Sequence, residues 1–157
     1  MEISILRNSR KANKETRNMM EYCILTYFAY WGIHNEDIKL IVNLDSKLFD
    51  DENHIAASFP LDDNTFRIEV NKNSMLDMSQ QLEIIAHEII HIKQFYTKEL
   101  DKKIVDNDII LLWKGEDISH KEYEEYDHEI EAYTLQRPMA TSLIEEINFF
   151  TEQVLSS

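Results

Sequence analysis

The stretch from Asp77 to Leu100 constrains this chain more than any other. It contains neither Gly nor Pro, and Leu82, Ile85, Ile89, Ile92 and Tyr96 recur at helical spacing as one apolar stripe. The spacing predicts a long helix over 77–100. Its other side carries Gln80, His87, His91 and Gln94, flanked by Ile84 and Phe95. A helix with one greasy side and one side of polar, ligand-capable groups is expected to be covered on both faces. An imidazole pair buried there without partners costs free energy, so the pattern asks what the two histidines hold.

The remaining elements follow from patterning. A helix is expected from Asn13 to Trp31, closed by Gly32. Ile38 to Leu44, His54 to Pro60 and Thr65 to Asn71 read as strands, the last with Phe66, Ile68 and Val70 on one face. Asp50–Asn53 and Leu61–Asn64 read as turns, the latter joining a hairpin, and Asn71–Ser74 as a polar break. Ile109 to Trp113 is a short strand stopped at Lys114-Gly115. A helix from Tyr123 to Gln136 is expected to end at Arg137-Pro138, and another to run from Thr141 to Val154. The order gives an α+β fold: a three-strand meander, a central helix and C-terminal helices. With 157 residues and no linker-like or repeated segment, one domain over 1–157 is expected. Only 2 Gly and 2 Pro argue against a sandwich of many short strands.

Charge narrows the partners. Lys and Arg number 16 against 30 Asp and Glu, a net charge of −14. Such a chain is repelled by phosphate backbones and anionic lipid, so neither nucleic acid nor membrane is an expected partner. Tyr22 to Ile33 behind a basic segment superficially resembles a secretory signal. Met20, Cys23, Ile24, Tyr27, Phe28 and Trp31 nevertheless share one helical side, and no small-residue cleavage site follows. A core-packing helix accounts for them better. Cys23 is the only cysteine, which excludes a disulfide framework within the chain and fits a reducing, cytoplasmic setting. Its expected role is that of a small core hydrophobe.

Within the long helix, Ala86-His87-Glu88-Ile89-Ile90-His91 contains the pattern HExxH. On a helix His87 and His91 project about 40° apart, one turn from each other, so both can reach one zinc ion. Glu88 is turned about 100° from His87, which places it beside such an ion, where a general base belongs. A catalytic zinc site needs a third protein ligand. The densest candidate segment is Tyr126-Asp127-His128-Glu129-Ile130-Glu131-Ala132-Tyr133. Glu129 and Glu131 point about 200° apart on a helix, so only one can face the ion. Tyr123, Tyr126 and Tyr133 are candidate donors to a developing oxyanion, Tyr133 being taken as the catalytic one. His128 is expected to be exposed, or at best to stand behind a metal ligand, His34 and His120 to lie near surface turns, and His54 to be a hydrogen-bonded strand residue or, failing that, to line a cleft. The acidic run Glu122 to Glu131 reads mainly as a solvated face.

HExxH followed by a later helix with a spaced Glu resembles the gluzincin metallopeptidases, above all the minimal single-domain kind, including small phage-encoded members. The resemblance covers Asn53 to Tyr133 and includes HEIIHIKQ, Trp113-Lys114-Gly115 and HEIEAY. It implies a zincin-like fold, a small antiparallel or mixed sheet beside the active-site helix. It also implies a Zn²⁺ ion held by His87, His91 and Glu129, with Glu88 as general base. Where many members have an Asp supporting a zinc-bound His, this chain has Tyr133. The family pairs an extended peptide with the strand preceding the active helix, which falls here on His54 to Phe59 or Thr65 to Asn71. The expected function is zinc-dependent hydrolysis of a peptide or protein substrate. The rivals are a zinc-binding regulatory protein of the same fold without turnover, and an acidic mimic of nucleic acid.

Overall fold

A computed structural model describes residues 1–51, 53–72 and 76–156. The chain runs β1 (Glu2–Arg7), β2 (Arg10–Lys11), α1 (Lys14–Ala29), β3 (Lys39–Ser46), β4 (Ala56–Pro60), β5 (Thr65–Asn71), α2 (Met78–Tyr96), β6 (Leu100–Val105), β7 (Asp108–Trp113), β8 (Glu116–Asp117), a 3₁₀ turn (Tyr123–Glu125) and α3 (Asp127–Ser156). The architecture is α+β, with three α-helices and two sheets among the described residues. The first sheet is mixed, in the order β2-β1-β3-β5-β4. The second is an antiparallel ribbon, β6-β7-β8.

The expected three-strand meander is therefore corrected. β1 enters the sheet parallel to β3, and β3 lies parallel to β5. Only β4 and β5 form the hairpin. Parallel neighbours need a crossover, and α1 supplies the one between β1 and β3. β1 is short and its apolar residues are only Ile3, Ile5 and Leu6, too weak a signal to stand alone. Pairing with β3 buries Ile5.

α1 begins at its Asn13 cap, whose Oδ1 accepts from Thr16 N. It buries Met20, Cys23, Ile24, Tyr27 and Phe28, as the stripe predicts, and Gly32 at φ +70° follows its end. Burial pushes the Cys23 thiol up to about 11, as for an inert core residue. Ile5, Leu40, Val42, Phe66 and Ile68 of the sheet join α1 and the Leu82, Ile85, Ile89 and Ile92 side of α2 in one core. Tyr27 crosses it to donate to Leu82 O at 3.0 Å.

α2 starts on a capping box: Asp77 accepts from Gln80 N, and the Gln80 side chain accepts from Asp77 N. Gln80 thus serves the helix end and not the polar face. The helix stops at Tyr96, earlier than Leu100, because Thr97 caps it and Lys98 adopts φ +61°. Leu100 is freed to open β6, a strand hidden in the sequence behind the helical pattern. β4 begins at Ala56, leaving His54 just outside it.

The C-terminal half is also corrected. Tyr123–Glu125 is a separate 3₁₀ turn, and α3 continues through Pro138 to Ser156 as one helix. A proline inside a helix costs about 3 kcal/mol. Burial of Met139, Ala140 and Leu143 just beyond it offsets that cost and holds the helix on course. The Asp50–Asn53 turn is described without Glu52, with Asp51 Oδ1 accepting from Asn53 N. Of the Asn71–Ser74 break, Asn73 and Ser74 lie outside the described residues. No helix among the described residues is long and apolar enough to cross a membrane.

Candidate metal centre

α2 and α3 pack together and bring three side chains to one point. His87 and His91 lie one turn apart on α2, and Glu129 comes from the first turn of α3. The two Nε2 atoms are 3.0 Å apart. Glu129 Oε1 lies 3.1 Å from His91 Nε2, and Oε2 lies 3.3 Å from His87 Nε2. Among the described residues this is the group of His, Cys, Asp and Glu able to hold a metal ion.

The outward ring nitrogens decide the protonation pattern. His87 Nδ1 is 2.7 Å from Gln136 Oε1, and His91 Nδ1 is 2.8 Å from Gln94 Oε1. Each amide is oriented by its own donors. Gln136 Nε2 donates to Glu83 Oε1 at 2.9 Å. Gln94 Nε2 donates to the His128 carbonyl at 3.0 Å and to Glu131 Oε1 at 3.1 Å. Both amide oxygens therefore face imidazole, so both Nδ1 atoms carry the proton and donate. In neutral rings both Nε2 atoms are then bare acceptors, pressed against each other and against a carboxylate. Positive charge relieves this crowding, either as a proton on His91, whose pKa Glu129 raises, or as a metal ion held by the three groups. Two imidazole nitrogens and a carboxylate form a donor set suited to zinc. Each histidine is thus supported by a neutral amide that is itself backed by a carboxylate, Glu83 behind Gln136 and Glu131 behind Gln94.

No known protein family, curated protein or solved structure matches the chain. The assignment of roles rests on geometry.

Electrostatics agree with a site built for positive charge. Burial works against the Glu129 carboxylate, but hydrogen bonds and charge from His87 and His91 outweigh it and hold its pKa far below the usual range. Burial likewise opposes protonation of His91, yet Glu129 keeps that pKa above its ordinary value. Glu88 is 5% exposed, and burial raises its pKa, opposed by the neighbouring histidines and a hydrogen bond with Ser58 of β4. A carboxylate with a raised pKa is a better proton acceptor near neutrality.

The remaining predicted residues fall into place unevenly. Glu131 does not join the cluster; it anchors the Gln94 amide. Tyr133 lies against the cluster, its ring 4.7 Å from that of His87, and its hydroxyl is 3.3 Å from the Tyr123 hydroxyl. Burial, the Tyr133 hydrogen bond and the Glu129 charge raise the Tyr123 pKa, so its phenol stays protonated as a donor. Tyr126 stacks on His128 at 5.2 Å. His128 is the clearest correction: it is 6% exposed, with Nδ1 unpartnered and Nε2 3.8 Å from Glu129 Oε1. It turns inward because Trp113 and Tyr126 cover it. Burial, reinforced by the charge of His91, pulls its pKa down to about 4. His120 is exposed, His34 is half-buried, and His54 is largely exposed with Nδ1 3.7 Å from Asp51.

Gln136 has no place among the sequence-derived candidates. Glu129, Tyr133 and Gln136 stand at i, i+4 and i+7, one face of α3. Once Glu129 is placed at the ion, that spacing points to Gln136.

The cluster opens into a cleft of about 460 Å³. One wall is the segment Asn53–Ser58, including the start of β4; Leu100, Lys102 and Leu111 of the ribbon also line it. β4 is the outermost strand of its sheet, whereas β5 lies inside between β3 and β4.

Proposed function

We propose that the protein is a zinc-dependent peptidase of gluzincin type with a zincin-like fold. One observation carries the reading: His87 Nε2, His91 Nε2 and the Glu129 carboxylate converge beside a buried glutamate in an open cleft. His87, His91 and Glu129 would hold the ion. When bound, zinc supplies a Lewis acid that polarises a carbonyl and makes water a stronger acid.

The chain's own groups do the rest. Glu88 accepts a proton from the attacking water as the new C–O bond forms, and delivers it to the amine nitrogen as the C–N bond breaks. The Tyr123 and Tyr133 hydroxyls border the cleft, where a phenol donates to the developing oxyanion. The free edge of β4 offers backbone donors and acceptors to an extended peptide, which favours β4 over β5 as the pairing strand. The net charge of −14 disfavours nucleic acid as a ligand.

The test combines elemental analysis with peptide hydrolysis. About one zinc per chain is expected, with hydrolysis lowered by about 10² or more in Glu88→Gln while zinc content stays unchanged. Wild-type turnover in that variant overturns the role of Glu88. Bound zinc with no cleavage of any peptide assigns the protein to the non-catalytic zinc binders.

A further inference from the structure

The ribbon β6–β7 carries an exposed apolar pair just beyond the cleft. Antiparallel register places Leu100 opposite Trp113, Lys102 opposite Leu111, and Ile104 opposite Ile109. Side chains two apart on a strand share a face, so these three pairs form one surface. Its inner part is the cleft wall: Leu100, Lys102 and Leu111 line the cavity, and Leu100 and Trp113 pack on the core. Its outer part is the Ile104–Ile109 pair, 79% and 70% exposed. Two branched apolar side chains thus face each other across the ribbon just before its turn. Asp106 at φ +50° and Asn107 at φ +68° close that turn tightly, so the pair is held out as a firm ridge.

We propose that Ile104 and Ile109 are specificity-determining residues of the peptidase cleft, taking an apolar side chain of an extended peptide whose backbone lies along β4. The occupant follows from adjacency, since on the same strand face the ridge lies one residue pair beyond Lys102 and Leu111, which line the cavity. The inference rests on the peptidase reading for its substrate but is measured without turnover.

The experiment uses the full chain loaded with zinc and carrying Glu88→Gln. Binding of a fluorescein-labelled peptide of alternating Leu and Ser is followed by anisotropy, beside the same peptide with Asp in place of Leu. The double substitution Ile104→Ser with Ile109→Ser should weaken the Leu peptide about tenfold or more, as expected for losing two partly buried isoleucine contacts. Val105→Ser, on the opposite ribbon face and 46% exposed, should leave binding unchanged. Zinc content and thermal unfolding should not move, because exposed substitutions of this kind are nearly neutral. With Glu88 restored, KM for the Leu peptide should rise and kcat should hold.

Equal affinity of the parent and the double variant overturns the proposal, as does an equal loss in Val105→Ser. So does sedimentation showing a dimer that the double variant dissociates, which would assign the ridge to a second copy. If the restored chain cleaves no peptide, the peptidase reading fails while the binding result still decides whether the ridge takes apolar peptides.

Discussion

The amide acceptors behind the histidines give the sharpest quantitative expectation. Consider Gln136→Met, which keeps side-chain length and removes the acceptor 2.7 Å from His87 Nδ1. His87 then loses the partner that keeps its proton on Nδ1, and the tautomer with a proton on Nε2 becomes accessible. That tautomer offers no lone pair to the cluster. Removing such an orienting partner costs 10- to 100-fold in metal affinity, or about 1.4–2.7 kcal/mol. The apo protein should lose about 2 kcal/mol of stability, since one hydrogen bond to His87 and one to Glu83 disappear at about 1 kcal/mol each.

A carboxylate at position 136 is not expected to serve in its place. Gln136 Nε2 sits 2.9 Å from Glu83 Oε1, so Gln136→Glu sets two carboxylates face to face. Combining it with Glu83→Gln restores one amide and one carboxylate in exchanged positions, and affinity should recover by most of the loss. Zinc affinity is measured by chelator competition at fixed neutral pH, because protons compete for the ligands. Thermal melts of the apo forms control for folding. Unchanged affinity in Gln136→Met, or no recovery in the exchanged pair, refutes the reasoning.

Two further outcomes are expected. Glu129→Gln should weaken zinc binding markedly, because an amide oxygen is a poor replacement for a carboxylate at zinc, whereas Glu131→Gln should cost less because it acts only through Gln94; chelator competition on both variants checks the order. For His128, the folded pKa of about 4 lies below the unfolded value near 6.5, so the unfolded chain binds more protons between them. Its contribution is full above about pH 6.5 and is lost as pH falls toward 4, by up to about 3 kcal/mol. Denaturant unfolding of the apo protein should show that slope, flattened in His128→Phe.

How far the sequence reached depends on the kind of signal each element carries. α2 was legible because its apolar stripe, its lack of Gly and Pro and its histidine spacing all report local geometry. β5 was read with its observed bounds, Thr65–Asn71, because alternation and the flanking turn agree. β1 and β6 escaped because their identity is conferred by partners. Ile5 becomes a core residue only beside β3, and Leu100 leaves the helix only because Lys98 takes a left-handed backbone conformation. Pro138 misled for the same reason: a local cost was overruled by burial of Met139, Ala140 and Leu143. The site divides along this line. His87, Glu88 and His91 are set by one helix, so spacing found them. Glu129 needed a resemblance to choose it over Glu131, and the α2–α3 contact makes that choice physical by giving Glu131 to Gln94. His128 was misjudged because an acidic neighbourhood suggested solvent, while Trp113 from the ribbon and Tyr126 cover it. Gln94 and Gln136 show the limit most clearly. A glutamine is chemically silent in a sequence until the groups on either side of its amide are known. Here each stands between an imidazole and a carboxylate, and that placement aims both Nε2 atoms inward.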